Sequence, residues 1–219
     1  FNGWYMKKSN FLKVSCAIFS LFSVGATSSA HAVEEPSYEV VEQIGDVEIR
    51  LYEAVVQAKT TLADSGETSA GFRRLAGFIF GDNDQQQKIS MTAPVQETLG
   101  KNESELAFTM PADYTLDSLP QPSDPSVALT LVPARTVAVV SFSGWATEAK
   151  IQRYQRELNA VMMAEKLEGM GEYMLNQYNP PWTPPFMRRN EIMLEINQIG
   201  SVGTLPPGHE FSGATTFSF

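Results

Sequence analysis

Cysteine is almost absent from this 219-residue chain, which carries Cys16 and no other. One thiol makes neither an intrachain disulfide nor a thiolate metal site, so stability has to come from apolar burial. Histidine is nearly as scarce, with His31 and His209 the only two. A Ser-His-Asp site therefore lacks a base in the body of the chain, and zinc lacks ligands in number. There is no G-x-x-x-x-G-K phosphate loop and no G-x-G-x-x-G turn between strand and helix. Positive charge is short too, 16 Lys and Arg standing against 25 Asp and Glu. An acidic surface repels phosphate backbones and anionic headgroups, which argues against nucleic acid and membrane surfaces as partners. Carboxylates are plentiful but show no pair placed for acid–base work, so the inventory points away from an enzyme.

What is present begins with an export signal. Lys7, Lys8 and Lys13 form a basic start, residues 14–24 (VSCAIFSLFSV) an apolar run, and Ala30-His31-Ala32 a small-residue cleavage site. The run is shorter than the ~20 residues that span a bilayer. Residues 1–32 are expected to be a cleaved leader, with Met6 the true start and the mature protein periplasmic or secreted; an organelle lumen is the lesser alternative. Its removal takes three lysines and no acid, leaving 219 − 32 = 187 residues with a formal charge of 13 − 25 = −12. That length predicts one domain over 33–199, followed by a Gly/Ser/Thr-rich flexible tail over 200–219.

Along the domain, residues 38–43, 47–52 and 55–62 alternate or carry β-branched side chains and predict strands. A helix is expected over 70–80, capped by Thr68 or Ser69. Its apolar stripe is read as Phe72, Leu75, Ala76 and Ile79, leaving Arg73, Arg74 and Phe78 on the outer side. Strands are expected over 88–95 and 105–110. The order then recurs: strands over 128–132 and 136–142, a long helix over 147–168, and strands over 173–178 and 191–196. Offsets of about 80 residues relate the two sets and predict an internal duplication. Two such halves make an α+β fold, a closed or nearly closed antiparallel β-barrel with two helices outside.

The stretch Gln177–Ile196, QYNPPWTPPFMRRNEIMLEI, is the most distinctive. Pro180, Pro181, Pro184 and Pro185 fix φ and remove donors, which rules out helix and central strand and predicts a stiff extended loop. It carries Trp182, Phe186 and Met187 beside Arg188 and Arg189. Such an arm suits a flat ligand with an apolar face and an anionic edge; on the residues alone, a lid that merely covers the end of a barrel is the commoner use of a Pro-aromatic loop. The arginines can be ligand partners or internal ion pairs. Lys88 and Arg135 are lesser cationic candidates.

The motifs KISMTAPV at 88–95, FTMP at 108–111, VAVVSFSGWATE at 137–148 and YNPPWTPPFMRRNEIML at 178–194 together resemble the SOUL haem-binding protein family, over about residues 37–197. The resemblance implies a distorted β-barrel of two similar halves flanked by two long helices. It also implies binding of haem or a related tetrapyrrole without catalysis. The ligand would lie over the first helix and the last inter-strand loop, here Arg73, Arg74 and Phe78 on the helix and Trp182, Phe186 and Met187 in the loop; Arg188 is added from the residues themselves as a partner for an anionic edge. Aromatic and Met faces suit the plate, and arginine forks suit propionates. No histidine is available in the body for the iron. Met, Tyr or water would have to serve, with Met91, Met110, Met163, Met170, Met174 and Met187 the thioethers, or the plate would be held by its faces alone. The alternative is another amphipathic small molecule, or a protein partner, at the same groove.

Overall fold

The structure is a computed structural model, described here over residues 33–63, 67–100 and 104–197. The expected leader, with His31, and the tail, with His209, lie outside the described residues. Nine strands and two helices follow in order. They are β1 (Tyr38–Ile44), β2 (Val47–Tyr52), β3 (Val55–Leu62), α1 (Thr68–Phe80), β4 (Val95–Thr98), β5 (Ser104–Thr109), β6 (Ala128–Val132), β7 (Arg135–Phe142), α2 (Glu148–Glu165), β8 (Gly169–Gln177) and β9 (Asn190–Ile196). Gly45, at φ +60°, turns β1 into β2.

One antiparallel sheet holds all nine strands in the order β1-β2-β7-β9-β8-β4-β5-β3-β6. The duplication is visible in that order. Reading outward from the central β8–β4 pair, β8-β9-β7-β2 on one side answers β4-β5-β3-β6 on the other. The halves also trade strands: β2 pairs with β7 of the second half, and β6 with β3 of the first. Glu53-Ala54 alone joins β2 to β3, which stand second and eighth in the sheet, so the sheet must curl strongly to let two residues bridge them. The expected α+β architecture with two outer helices is present; the edge strands β1 and β6 share no ladder, so the curled sheet is unclosed and a barrel only loosely.

Period-2 alternation sorts each strand between two faces. On the outer face, Val56, Ala58, Leu62, Leu106 and Phe108 pack with Leu75, Phe78 and Ile79 of α1. Val47, Ile49, Ala138, Val140, Ile192, Leu194 and Ile196 pack with Leu158 and Met162 of α2. The inner face carries Tyr52, Val137, Val139, Met174 and Met193, interleaved with polar residues.

Three expectations change. Phe78 is not on the outer side of α1; it is 1% exposed in the core, while Phe72, expected inside, is 38% exposed and meets Phe108 edge-on at 5.3 Å. The cause is Gly71: with no Cβ it lets the helix settle directly onto Leu62 and Thr60 of β3, which turns the 71-75-78-79 stripe inward. Residues 88–94 are not strand; the ladder starts at Val95, after the cis Ala93–Pro94 bond, because Pro94 has no N–H to give it. Finally, α2 stops at Glu165, with Lys166 in the left-handed conformation at φ 58°, and β8 begins three residues later at Gly169.

Candidate functional site

The proline loop, residues 178–189, joins β8 to β9 and is closed at its neck. The Tyr178 N–H donates to the Arg189 carbonyl at 3.2 Å, and the Arg189 N–H to Asn179 Oδ1 at 2.6 Å. Within it, Pro185–Met187 forms one 3-10 turn, a difference from the fully extended reading that Pro185 tolerates because a first-turn residue needs no N–H. Arg188 braces the loop from inside. Its Nε–H donates to the Thr183 carbonyl at 3.0 Å, its Nη2 to the Pro181 carbonyl, and its guanidinium lies 3.8 Å over the ring of Trp145. Backbone and Arg188 thus being fixed, Trp182, Phe186 and Met187 are left facing solvent at 83%, 80% and 61% exposure. Trp145 extends the patch at 52%. Side chains this apolar and this exposed on one short segment form a contiguous apolar patch, not a packed lid.

Behind the neck lies an ionic cluster on the inner face of the sheet. Glu191, 1% exposed, accepts from Arg50 Nη1 at 3.2 Å and from the Tyr178 hydroxyl at 2.6 Å, and pairs with Arg189 Nε at 3.3 Å. Arg50 is buried as well and also reaches Glu48 at 2.7 Å. Burial alone would lower the Arg50 pKa, but Glu191, Tyr52 and Glu48 outweigh it and hold the guanidinium charged. Burial, then Glu191, push the Tyr178 phenol well above the usual tyrosine range. Arg189 stacks 3.5 Å over the Tyr178 ring and pairs with Glu35 at 2.8 Å. Of its two possible uses, the structure gives Arg189 the internal one. Sequence reasoning passed over Arg50 and Tyr178 here. The alternation of Glu48, Arg50 and Tyr52 along β2, opposite Val47 and Ile49, marks one shared face but does not say that this face is enclosed.

The α1 candidates stand apart from the loop. Arg73 is exposed and Arg74 half-buried along a shallow cleft shared with Ala70, Gly77, Phe78, Asp82 and Asp124, and no loop residue lines it. Arg74 donates to the Thr61 carbonyl at 2.8 Å. Phe78 borders that cleft but is 1% exposed and belongs to the core. Lys88 is exposed, and Arg135 pairs with Glu195 at 3.6 Å. Among the methionines, Met110 and Met174 are core, whereas Met91, Met163, Met170 and Met187 are exposed. Among the described residues, no group of three or more His, Cys, Asp or Glu side chains could hold a metal ion, and no helix is long and apolar enough to cross a membrane.

The family described as SOUL heme-binding protein matches residues 33–195. The chain belongs to the SOUL family. Among SOUL relatives, mouse heme-binding protein 2 is 30% identical over 187 residues, spanning 78% of this chain and 90% of that protein. Human heme-binding protein 2 is 29% identical over 182 residues, 76% and 88% of the two chains. Among solved structures, the EcmrR C-terminal domain superposes with a TM-score of 0.56 at 10% identity, covering 74% of this chain and 99% of that domain. An uncharacterized conserved protein from Listeria innocua gives 0.54 at 11% identity over 69% and 92%. At such identities these structures share the SOUL fold, and nothing about function follows from them.

Proposed function

We propose that this SOUL protein is an exported binder of haem or a related tetrapyrrole that performs no catalysis and seats the plate on the outer face of the proline loop. The observation that carries the reading is the exposure of Trp182, Phe186 and Met187 on a loop whose backbone is already fixed. Rigid aromatic faces bind a flat apolar plate at low cost in conformational entropy. The relatives named as heme-binding supply the ligand class.

The fit to a tetrapyrrole is good for the faces and narrower for the propionates. Two of the three donor groups of Arg188 hold loop carbonyls, which leaves its Nη1 edge for a carboxylate. Arg73 and Arg74 serve only a plate that extends from the loop toward α1. On residues 33–219, with a formal charge of −12, any such anion needs one of these cations beside it. Met187 is the thioether nearest in sequence to the two rings; the described residues contain no histidine.

The test is a haemin titration of the full chain followed at the Soret band. A saturable shift at one ligand per chain is expected, weakened at least tenfold in Trp182→Ala/Phe186→Ala and severalfold in Arg188→Ala, with Arg74→Glu weakening it only where the plate reaches α1. The double alanine variant should keep wild-type stability, because both rings are solvent-exposed. A chain ending at Ile199 should bind alike. Absence of a saturable shift in the wild-type protein refutes the reading.

A further inference from the structure

A second concave surface is lined by none of the loop's exposed rings. Between the β2–β3 link and residues 110–117 opens a groove of about 560 Å³. Val55, Met110, Tyr114, Leu116 and Leu131 give it apolar walls. Leu116 and Leu131 are 39% and 56% exposed, far from the burial usual for leucine. Its charge has one sign: Glu34, Glu35, Glu53 and Asp117 line it, and no Lys or Arg does. Two of these acids are engaged. Glu34 accepts the Ala112 N–H at 2.7 Å, and Glu35 pairs with Arg189 at 2.8 Å. Glu53 and Asp117 are exposed and have no ion-pair partner among the described residues.

The groove continues inward. Pro36, Glu53, Val55 and Thr109 also line a small cavity of about 30 Å³ inside the curl of the sheet. Asn176 borders that cavity, 4% exposed, and its Oδ1 accepts no hydrogen bond. A buried carbonyl oxygen without a donor is rare in folded proteins and marks a place where a donor belongs. Arg135, at the same cavity, is already paired with Glu195.

We propose that this groove is a separate binding site for an amphipathic amine in its protonated form. The apolar body lies against Val55, Met110, Leu116 and Leu131, and the ammonium sits between Glu53 and Asp117. An N–H directed inward, or one water that it orders, supplies the donor that Asn176 lacks. The same carboxylates repel a dianionic tetrapyrrole, so the two sites select ligands of opposite charge.

Three dansyl probes with one fluorophore and different tails test this: dansylcadaverine (ammonium), its N-acetyl derivative (neutral) and dansyl-aminohexanoate (anionic). Each is titrated into the full chain and followed by fluorescence enhancement. The ammonium probe is expected to bind at least tenfold tighter than the neutral one, and the anionic probe not to saturate. Glu53→Gln and Asp117→Asn should each weaken the ammonium probe at least threefold, and together remove its preference, while leaving the neutral probe unchanged. Leu131→Ser should weaken both. Trp182→Ala/Phe186→Ala and added haemin should leave the ammonium probe bound, so that failure here is distinct from failure of the tetrapyrrole reading. Equal binding of the three probes, an unchanged preference in the double carboxamide variant, or displacement by haemin overturns the proposal.

Discussion

Replacing Glu191 by Gln should be the most damaging single-charge change in this protein. The two side chains have nearly the same shape, so the effect isolates the charge. Glu191 and Arg50 are 1% and 3% exposed, and their groups meet at 3.2 Å. Removing one member of a buried pair leaves the other charge uncompensated, which costs roughly 3–5 kcal/mol. Arg50 keeps its contact to Glu48 at 2.7 Å, which sets the expectation near the lower bound of about 3 kcal/mol. In the other direction, the Tyr178 hydroxyl and Arg189 Nε, now at 2.6 and 3.3 Å, lose an anionic acceptor. Against a typical total of about 5–15 kcal/mol, the loss is a large fraction. Urea unfolding followed by tryptophan fluorescence measures it. The companion variant Arg50→Met/Glu191→Leu removes both charges and should cost less than Glu191→Gln alone, because no ion is left stranded. A cost below about 1 kcal/mol for Glu191→Gln would refute the reasoning, since surface pairs have that value. So would a double variant that simply adds the two single losses.

Two further outcomes follow from the same structure. The Tyr178 phenol is raised by burial and by Glu191, so the fold holds a proton that the unfolded chain releases near pH 10. That contribution is complete below about pH 10 and declines as pH rises from there toward the folded pKa. Urea midpoints across the alkaline range should therefore fall less steeply in Tyr178→Phe than in wild type, and parallel slopes would exclude this assignment. Gly71→Ala gains about 1 kcal/mol of helix propensity, yet the new Cβ meets Leu62 Cδ2, a fully buried side chain. Overpacking of about 1–3 kcal/mol should win, giving a net loss of order 1 kcal/mol; a raised unfolding temperature would show that the helix shifts freely instead.

How far the sequence could be read depended on whether the deciding interaction was local. The ends of β2, β3 and β6 follow from alternation and agree with the structure residue for residue. The stiffness of the proline loop was equally readable, because proline acts on its own backbone; that its rings face solvent was not, since the same residues fit a packed lid. Arg188 was not, since its partners are carbonyls that converge only after the loop has folded. The buried face of α1 was misjudged by one position because an amphipathic stripe with an apolar residue at both 71+1 and 71+7 does not say which way a helix will roll. Its contact with β3 through Gly71 decides that, and it is tertiary. The duplication was evident in the order of elements, but the exchange of β2 and β6 between halves was not, since pairing is non-local.

The inner face makes the general point. Along β2, the polar set Glu48, Arg50 and Tyr52 alternates as strictly as the apolar set Val47 and Ile49, and a strand read in isolation assigns the polar set to water. The two-residue link Glu53-Ala54 decides otherwise. It forces the second and eighth strands of the sheet together, so that the face carrying Arg50 and Glu191 becomes the inside of a curl. A row of charges enclosed this way has to be internally paired, and the pairing reaches Tyr178 and Arg189 at the neck of the loop. The posture of the exposed rings and the integrity of the buried ions are therefore one property of the fold. Glu191→Gln should lower haemin affinity along with stability, although Glu191 itself has 1% exposure and touches no ligand surface.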